Sequence, residues 1–125
     1  MSKVLRIGTR KSKLALIQTE IVKQKILSRF PELSVEIIKM STKGDQDLKR
    51  SLASFGGKGV FTKELEEALI SGEIDLAVHS AKDMPMAFPK GLGLKAVLDR
   101  TDFRDVILTT TGILLKDLPK GAVLG

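Results

Sequence analysis

The chain contains no cysteine, no tryptophan and no tyrosine, and only one histidine, His79. Without cysteine, disulfides, thiolate nucleophiles and Cys-based zinc sites are excluded within it. With a single histidine, an all-protein metal site of the usual kind is not expected. Aromatic residues make up 4% of the 125 residues. The stacking platforms that hold single-stranded nucleic acid are therefore missing. No apolar run is long enough to span a bilayer, and Met1-Ser2-Lys3-Val4-Leu5-Arg6 lacks the apolar core of a secretory signal. The expectation is a chain with no membrane partner, in the cytoplasm.

What is present is an ordinary globular composition, 42% hydrophobic and 29% charged, with a net charge of +6. That balance favours anionic partners, either nucleic acid or small polycarboxylates and phosphates. Nucleic acid is the weaker of the two, because aromatic support is lacking. No internal repeat or low-complexity segment occurs.

Hydrophobic periodicity predicts an α/β chain. Val4–Thr9 reads as a strand. Ser12 reads as the N-cap of a helix from about Lys13 to Arg29, with Leu14, Ile17 and Ile21 on one face and Val22, Ile26 and Phe30 broadening it. Ser34–Lys39 reads as a second strand, ending in a polar loop, Ser41–Asp45. The segment from Asp47 to Phe55 is ambiguous, and Gly56-Gly57-Lys58-Gly59 is a break. A second helix opens near Thr62, with Glu64, Glu66 and Glu67 in its early turns, Leu65, Ala68 and Leu69 on its apolar face and Gly72 at its end. Ile74–Ser80 reads as a third strand. Further strands are expected at Leu92–Val97, Val106–Thr109 and Ala122–Leu124, with a charged connector at Asp99–Asp105. The closing Gly121-Ala122-Val123-Leu124-Gly125 reads as a strand entering a turn, as in part of a longer protein.

Three of these strands end in polar clusters: Thr9–Ser12, Ser41–Asp45 and His79–Asp83. In a parallel sheet, ligands sit beyond the carboxyl ends of the strands, so the three clusters are expected to converge on one rim. Asp83, a carboxylate next to Lys82, suits stabilisation of a cation or proton transfer to a leaving amine. A charge pair at about 4 Å is worth about 4 kcal/mol at an effective dielectric of about 20. The bland reading of Asp83 is a solvated turn before Met84-Pro85. Arg10 and Ser12 suit clamping a carboxylate, or form a helix cap beside a surface arginine. The glycine-flanked Lys58 suits wrapping an anion, or lies in a flexible turn without the Walker A order. His79 reads as a core or rim histidine before it reads as a general base.

Leu5-Arg6-Ile7-Gly8-Thr9-Arg10-Lys11-Ser12-Lys13-Leu14-Ala15-Leu16 resembles the opening motif of the hydroxymethylbilane synthase (porphobilinogen deaminase) family. So do Gly56-Gly57-Lys58-Gly59-Val60-Phe61-Thr62-Lys63-Glu64-Leu65-Glu66 and Asp75-Leu76-Ala77-Val78-His79-Ser80-Ala81-Lys82-Asp83-Met84-Pro85. The resemblance implies a transferase of tetrapyrrole (porphyrin and heme) biosynthesis, which joins four porphobilinogen molecules into hydroxymethylbilane and releases ammonia at each step. It implies a dipyrromethane cofactor on a cysteine that these residues do not include. Asp83 would be the catalytic carboxylate, deaminating the aminomethyl group and stabilising the azafulvene-like cation. Lys82 and Ser80 would hold the cofactor's acid groups. Arg10 and Ser12 would bind the acetate and propionate side chains, and Lys58 would lie in a loop over the cleft. The departures are Ser54, where many members carry a lysine, Lys49, where an acid often stands, and Lys13, in a place frequently held by proline.

The resemblance also implies a fold like the type II periplasmic binding proteins. Residues 1–98 would form most of a first domain, 99–105 a hinge and 106–125 the first strands of a second, similar domain. Members exceed twice this length, so the isolated 125 residues are expected to be inactive, and the full-length protein a monomer. The competing function is a non-catalytic module for small carboxylates.

Overall fold

The structure is a computed structural model that describes residues 3–46, 60–102 and 104–123. Three parallel strands form a sheet in the order β2-β1-β3: β1 at Val4–Arg10, β2 at Ser34–Met40 and β3 at Leu76–Ala77. β1 pairs with β2 along its whole length, from Val4 opposite Ser34 to Arg10 opposite Met40. It pairs with β3 only at Ile7–Leu76 and Gly8–Ala77. The backbone hydrogen bonds from Asp75 N to Arg6 O (2.9 Å) and from Val78 N to Gly8 O (3.1 Å) extend that ladder by one residue each way.

The first helix, α1, spans Lys13–Arg29, and Ser12 caps it by accepting a hydrogen bond from Ala15 N. A four-residue helix, α2, runs Lys43–Gln46, and α3 spans Lys63–Ser71. α3 ends at Gly72 with φ 79°, a left-handed conformation that glycine adopts without the Cβ penalty, and the Gly72 N–H returns to the Ala68 and Leu69 carbonyls. β1 alternates between the two faces of the sheet. Thr9 points to α1, where Thr19 Oγ1 lies 2.7 Å from Thr9 Oγ1 and also bonds the Ala15 carbonyl. Gly8 points the other way. A Cβ there would stand 2.3 Å from Ile74 Cδ1, so the glycine is what lets the α3 side close on the strand. The two helices therefore cover opposite faces, as right-handed crossovers in the order 2-1-3 require.

The core is small. Leu65, Ala68 and Ile74 form its buried centre, with Ile38, Met40, Leu69 and Ala77 packed against them. Leu65 and Ile74 are almost fully buried, and each contributes about 2–3 kcal/mol of apolar transfer.

The expected elements up to β3 are present, with four corrections. The Ser41–Asp45 loop closes into α2, because Asp45 N–H bonds Thr42 Oγ1 and Glu64 Oε1 accepts from Lys43 N. The third strand is shorter than Ile74–Ser80: beyond Val78 the chain leaves the sheet for a 3₁₀ turn at Ala81–Asp83. Leu14, Ile17 and Ile21 do not face the core; they are 52, 50 and 47% exposed. Phe30 is likewise 50% exposed, while Val22 and Ile26 of the expected face do turn inward, together with Ala15 and Thr19. α1 is apolar on several sides, and its inward face carries the buried Thr9–Thr19 hydrogen bond. Finally, Leu92–Val97, Val106–Thr109 and Ala122–Val123 are not in strands. A strand needs a neighbour to satisfy its N–H and C=O groups, and these stretches pair with none of the described residues. The segment Asp47–Phe55 and the Gly56–Gly59 break, with Lys58, lie outside the described residues.

Candidate active site

The carboxyl ends of β1, β2 and β3 open on one rim, and the three polar clusters meet there. A cavity of about 420 Å³ is lined by Arg10, Ser12, Gln18, Phe61, His79, Ser80, Lys82 and Asp83, among others.

Arg10, the last residue of β1, is its centre. Its Nε donates to Asp45 Oδ2 at 3.1 Å and its Nη2 donates to Asp45 Oδ1. Its Nη1 donates to Asp83 Oδ2 at 3.4 Å. The Phe61 ring stacks on the guanidinium, 4.1 Å from Cζ to the ring centre. The side chains of Arg10, Asp45 and Asp83 are only 17, 21 and 15% exposed. Burial pulls the Asp45 carboxyl upward, but hydrogen bonds from Arg10 and Thr42 outweigh it and hold the group below the usual range. The hydrogen bond to Asp45 drives the Arg10 guanidinium further up than usual.

Asp83 is delivered by the 3₁₀ turn after β3, where Asp83 N bonds the Ser80 carbonyl at 3.0 Å. Ser80 Oγ donates to Gln18 Oε1 at 2.8 Å, tying the turn to α1. Ser12 accepts from Ala15 N at 3.3 Å as helix cap, which leaves its O–H hydrogen free to donate to an anion. The helix-cap reading of Ser12 is the one observed. Lys82 is exposed at the cavity mouth. His79 lines the cavity with its Nδ1 buried and without a hydrogen-bond partner among the described residues. Burial lowers its pKa, and Asp83 and Arg10 act on it in opposite directions.

Five of the six residues singled out in the sequence, Arg10, Ser12, Ser80, Lys82 and Asp83, line this cavity; Lys58 is outside the described residues. Sequence reasoning did not single out Asp45, Phe61 or Gln18 as site residues. Asp45 lies in one of the three flagged polar clusters, and that was the available signal. Phe61 lies within the second motif of the resemblance without being singled out there, and Gln18 gave no signal. No group of three or more His, Cys, Asp or Glu side chains among the described residues is placed to hold a metal, and no helix among them is long and apolar enough to cross a membrane.

Residues 5–125 match the family model described as porphobilinogen deaminase, dipyromethane cofactor binding domain. The chain is similar to the porphobilinogen deaminase of Geotalea uraniireducens, with 52% identity over 123 residues, and to that of Geobacter metallireducens, with 51% over 123 residues. It is 49% identical over 121 residues to the porphobilinogen deaminase of Rickettsia bellii. These alignments cover 97 to 98% of this chain but only 38 to 40% of each relative.

Proposed function

The chain belongs to the porphobilinogen deaminase family, and from that membership we propose that it is the part of such an enzyme that carries the catalytic carboxylate, Asp83. The reaction would join four porphobilinogen molecules into hydroxymethylbilane with release of ammonia. The observation that supports this reading most is the convergence of Asp83, Arg10, Ser12, Ser80 and Lys82 on one cavity.

Porphobilinogen carries two carboxylates and one aminomethyl group. Arg10 and the hydroxyl hydrogen of Ser12 offer donors for those carboxylates. Asp83 would take the aminomethyl end. As the C–N bond of the protonated aminomethyl group breaks, its electron pair departs on ammonia and the positive charge passes to the pyrrole. A carboxylate held in a site that excludes much of the water stabilises that charge more than it would in bulk solvent. The next pyrrole carbon then forms the C–C bond and gives up its proton.

The donor set also fits the dipyrromethane: two cations and two hydroxyls suit a group bearing several carboxylates. Lys82 and Ser80 would hold it, and it supplies the priming pyrrole unit when bound. The cysteine that anchors it in the family is absent from these 125 residues. Lys58 would contribute to substrate binding from the segment before α3.

The finer architecture follows the same reading. Residues 1–98 would be most of a first domain like those of type II periplasmic binding proteins, 99–105 a hinge and 106–125 the start of a second domain. The whole enzyme would be a cytoplasmic monomer.

The test is porphobilinogen consumption by a full-length enzyme carrying this segment. One ammonia per porphobilinogen consumed is expected. Binding of pyrrole acids without consumption would favour a non-catalytic carboxylate module. The 125-residue chain alone is expected to give no product, and product from it would refute the assignment of the cofactor to residues elsewhere.

A further inference from the structure

The side chain that organises this cavity is Asp45, which none of the sequence motifs singled out. Both of its carboxylate oxygens lie on the Nε–Nη2 edge of Arg10. Asp45 is itself oriented: the fully buried Thr42 donates from Oγ1 to Asp45 Oδ2 at 2.7 Å and accepts from the Asp45 amide at 3.3 Å. The face of the guanidinium is set by Phe61. Phe61 is held in turn against Gly44, where a Cβ would stand 2.3 Å from the ring. Arg10 is thus fixed along one edge and on one face.

A guanidinium carries five N–H donors in a rigid fork. Asp45 takes the Nε–H and one on Nη2, and Asp83 takes one on Nη1 at the long end of hydrogen-bond range. Two N–H groups are left, one on each Nη nitrogen, as donors for a substrate carboxylate. Asp83 is the other carboxylate that pairs with Arg10 among the described residues, so an Arg10 released by Asp45 would be free to close on it through two donors, and such a pair would neutralise the charge the reaction uses.

We propose that Asp45 is the positioning residue of the site: by occupying the Nε–Nη2 edge it aims the Nη edge of Arg10 at substrate carboxylate and keeps Arg10 from closing bidentate onto Asp83. The inference rests on the catalytic reading of Asp83 given above, and the experiment separates the two.

In a full-length enzyme carrying this segment, kcat and KM for porphobilinogen are measured for the wild type, Asp45→Asn and Asp45→Glu. Asp45→Asn keeps one acceptor and loses the charge. Because displacing a positioned group by about 1 Å costs about a hundredfold, kcat/KM should fall by about tenfold to a hundredfold, with kcat carrying most of it. Asp45→Glu should recover part of the loss. An active wild type whose Asp45→Asn variant keeps kcat and KM within about twofold overturns this inference alone, as does a Glu variant no better than Asn. A wild type inert toward porphobilinogen overturns the functional reading and this inference with it. If Asp45→Asn does not fold, Thr42→Val, which removes the hydroxyl that orients Asp45, replaces it. A several-fold loss in kcat supports the inference, and unchanged kinetics overturn it.

Discussion

Arg10 Nη1 stands 3.4 Å from Asp83 Oδ2 and joins the end of β1 to the turn after β3, 73 residues away in sequence. The contact is the weaker of the two that Arg10 makes with carboxylates; Asp45 holds the other edge through both oxygens. One cation therefore sits between two acids on a half-closed rim.

Removing that cation should destabilise the fold. Arg10→Gln leaves two partly buried carboxylates facing a neutral group. The expected loss is about 1–3 kcal/mol at pH 7, below the cost of breaking a fully buried pair because these groups keep some solvent. Urea unfolding checks it. The deficit should shrink as pH falls into the carboxyl range, since Asp45 then loses the charge that Arg10 no longer balances; a deficit constant from pH 7 to about pH 3 would contradict this.

Acidification of the unaltered chain should lower stability in two stages. Burial depresses the His79 pKa, so the unfolded chain binds a proton that the fold resists, and stability is lost as pH falls below about 6.5. Asp45 and Asp75 are held below the usual carboxyl range, Asp45 by Arg10 and Thr42 against burial and Asp75 by the Arg6 hydrogen bonds. Their contribution is present above about pH 3.9 and is lost as pH falls through their folded values. The Arg6–Asp75 pair is largely exposed and should contribute little at high salt. His79→Gln should flatten the first stage and leave the second, as measured by denaturant midpoints across pH.

Two glycines should differ in kind. Gly72→Ala places a Cβ in a left-handed conformation with open space around it and should cost about 1 kcal/mol. Gly8→Ala collides with Ile74 Cδ1 and should cost about 1–3 kcal/mol. Ile74→Val removes the colliding atom. The double variant should therefore be more stable than the sum of the single losses implies; additive losses would contradict the packing described here.

The rotation of α1 yields a comparison. Ile17→Ser, on the half-exposed face, should change the stability of the 125-residue chain by under about 0.5 kcal/mol. Thr19→Val breaks the buried hydroxyl pair with Thr9 and should cost about 1 kcal/mol. The reverse order would place Leu14, Ile17 and Ile21 in the core after all.

Much of this arrangement was legible in the sequence because it depends on local chemistry. Ser12 and Gly72 mark helix ends through side-chain and φ requirements that act within one turn. Alternating strands and helices fix a parallel sheet, and a parallel sheet brings its polar ends together, which is why five of the six selected residues line one cavity. What depended on distant partners was not legible. The inward face of α1 includes a Thr9–Thr19 hydrogen bond across two elements, and hydropathy, apolar on several sides of the helix, placed Val22 and Ile26 but not Leu14, Ile17 and Ile21. Asp45 acquires its place from Arg10, 35 residues away in sequence, and Phe61 its place from the close approach that Gly44 allows. The expected strands after residue 91 have the residues for pairing but no partner among those described.

The most direct test of the account is single-turnover deamination of porphobilinogen by a full-length enzyme carrying this segment, comparing wild type with Asp83→Asn. The amide keeps the shape of the carboxylate and removes its charge. The expected result is a loss of about a thousandfold, the worth of one charge pair of about 4 kcal/mol realised in the transition state, with the fold intact by circular dichroism. Near wild-type ammonia release from a folded Asp83→Asn enzyme would contradict it.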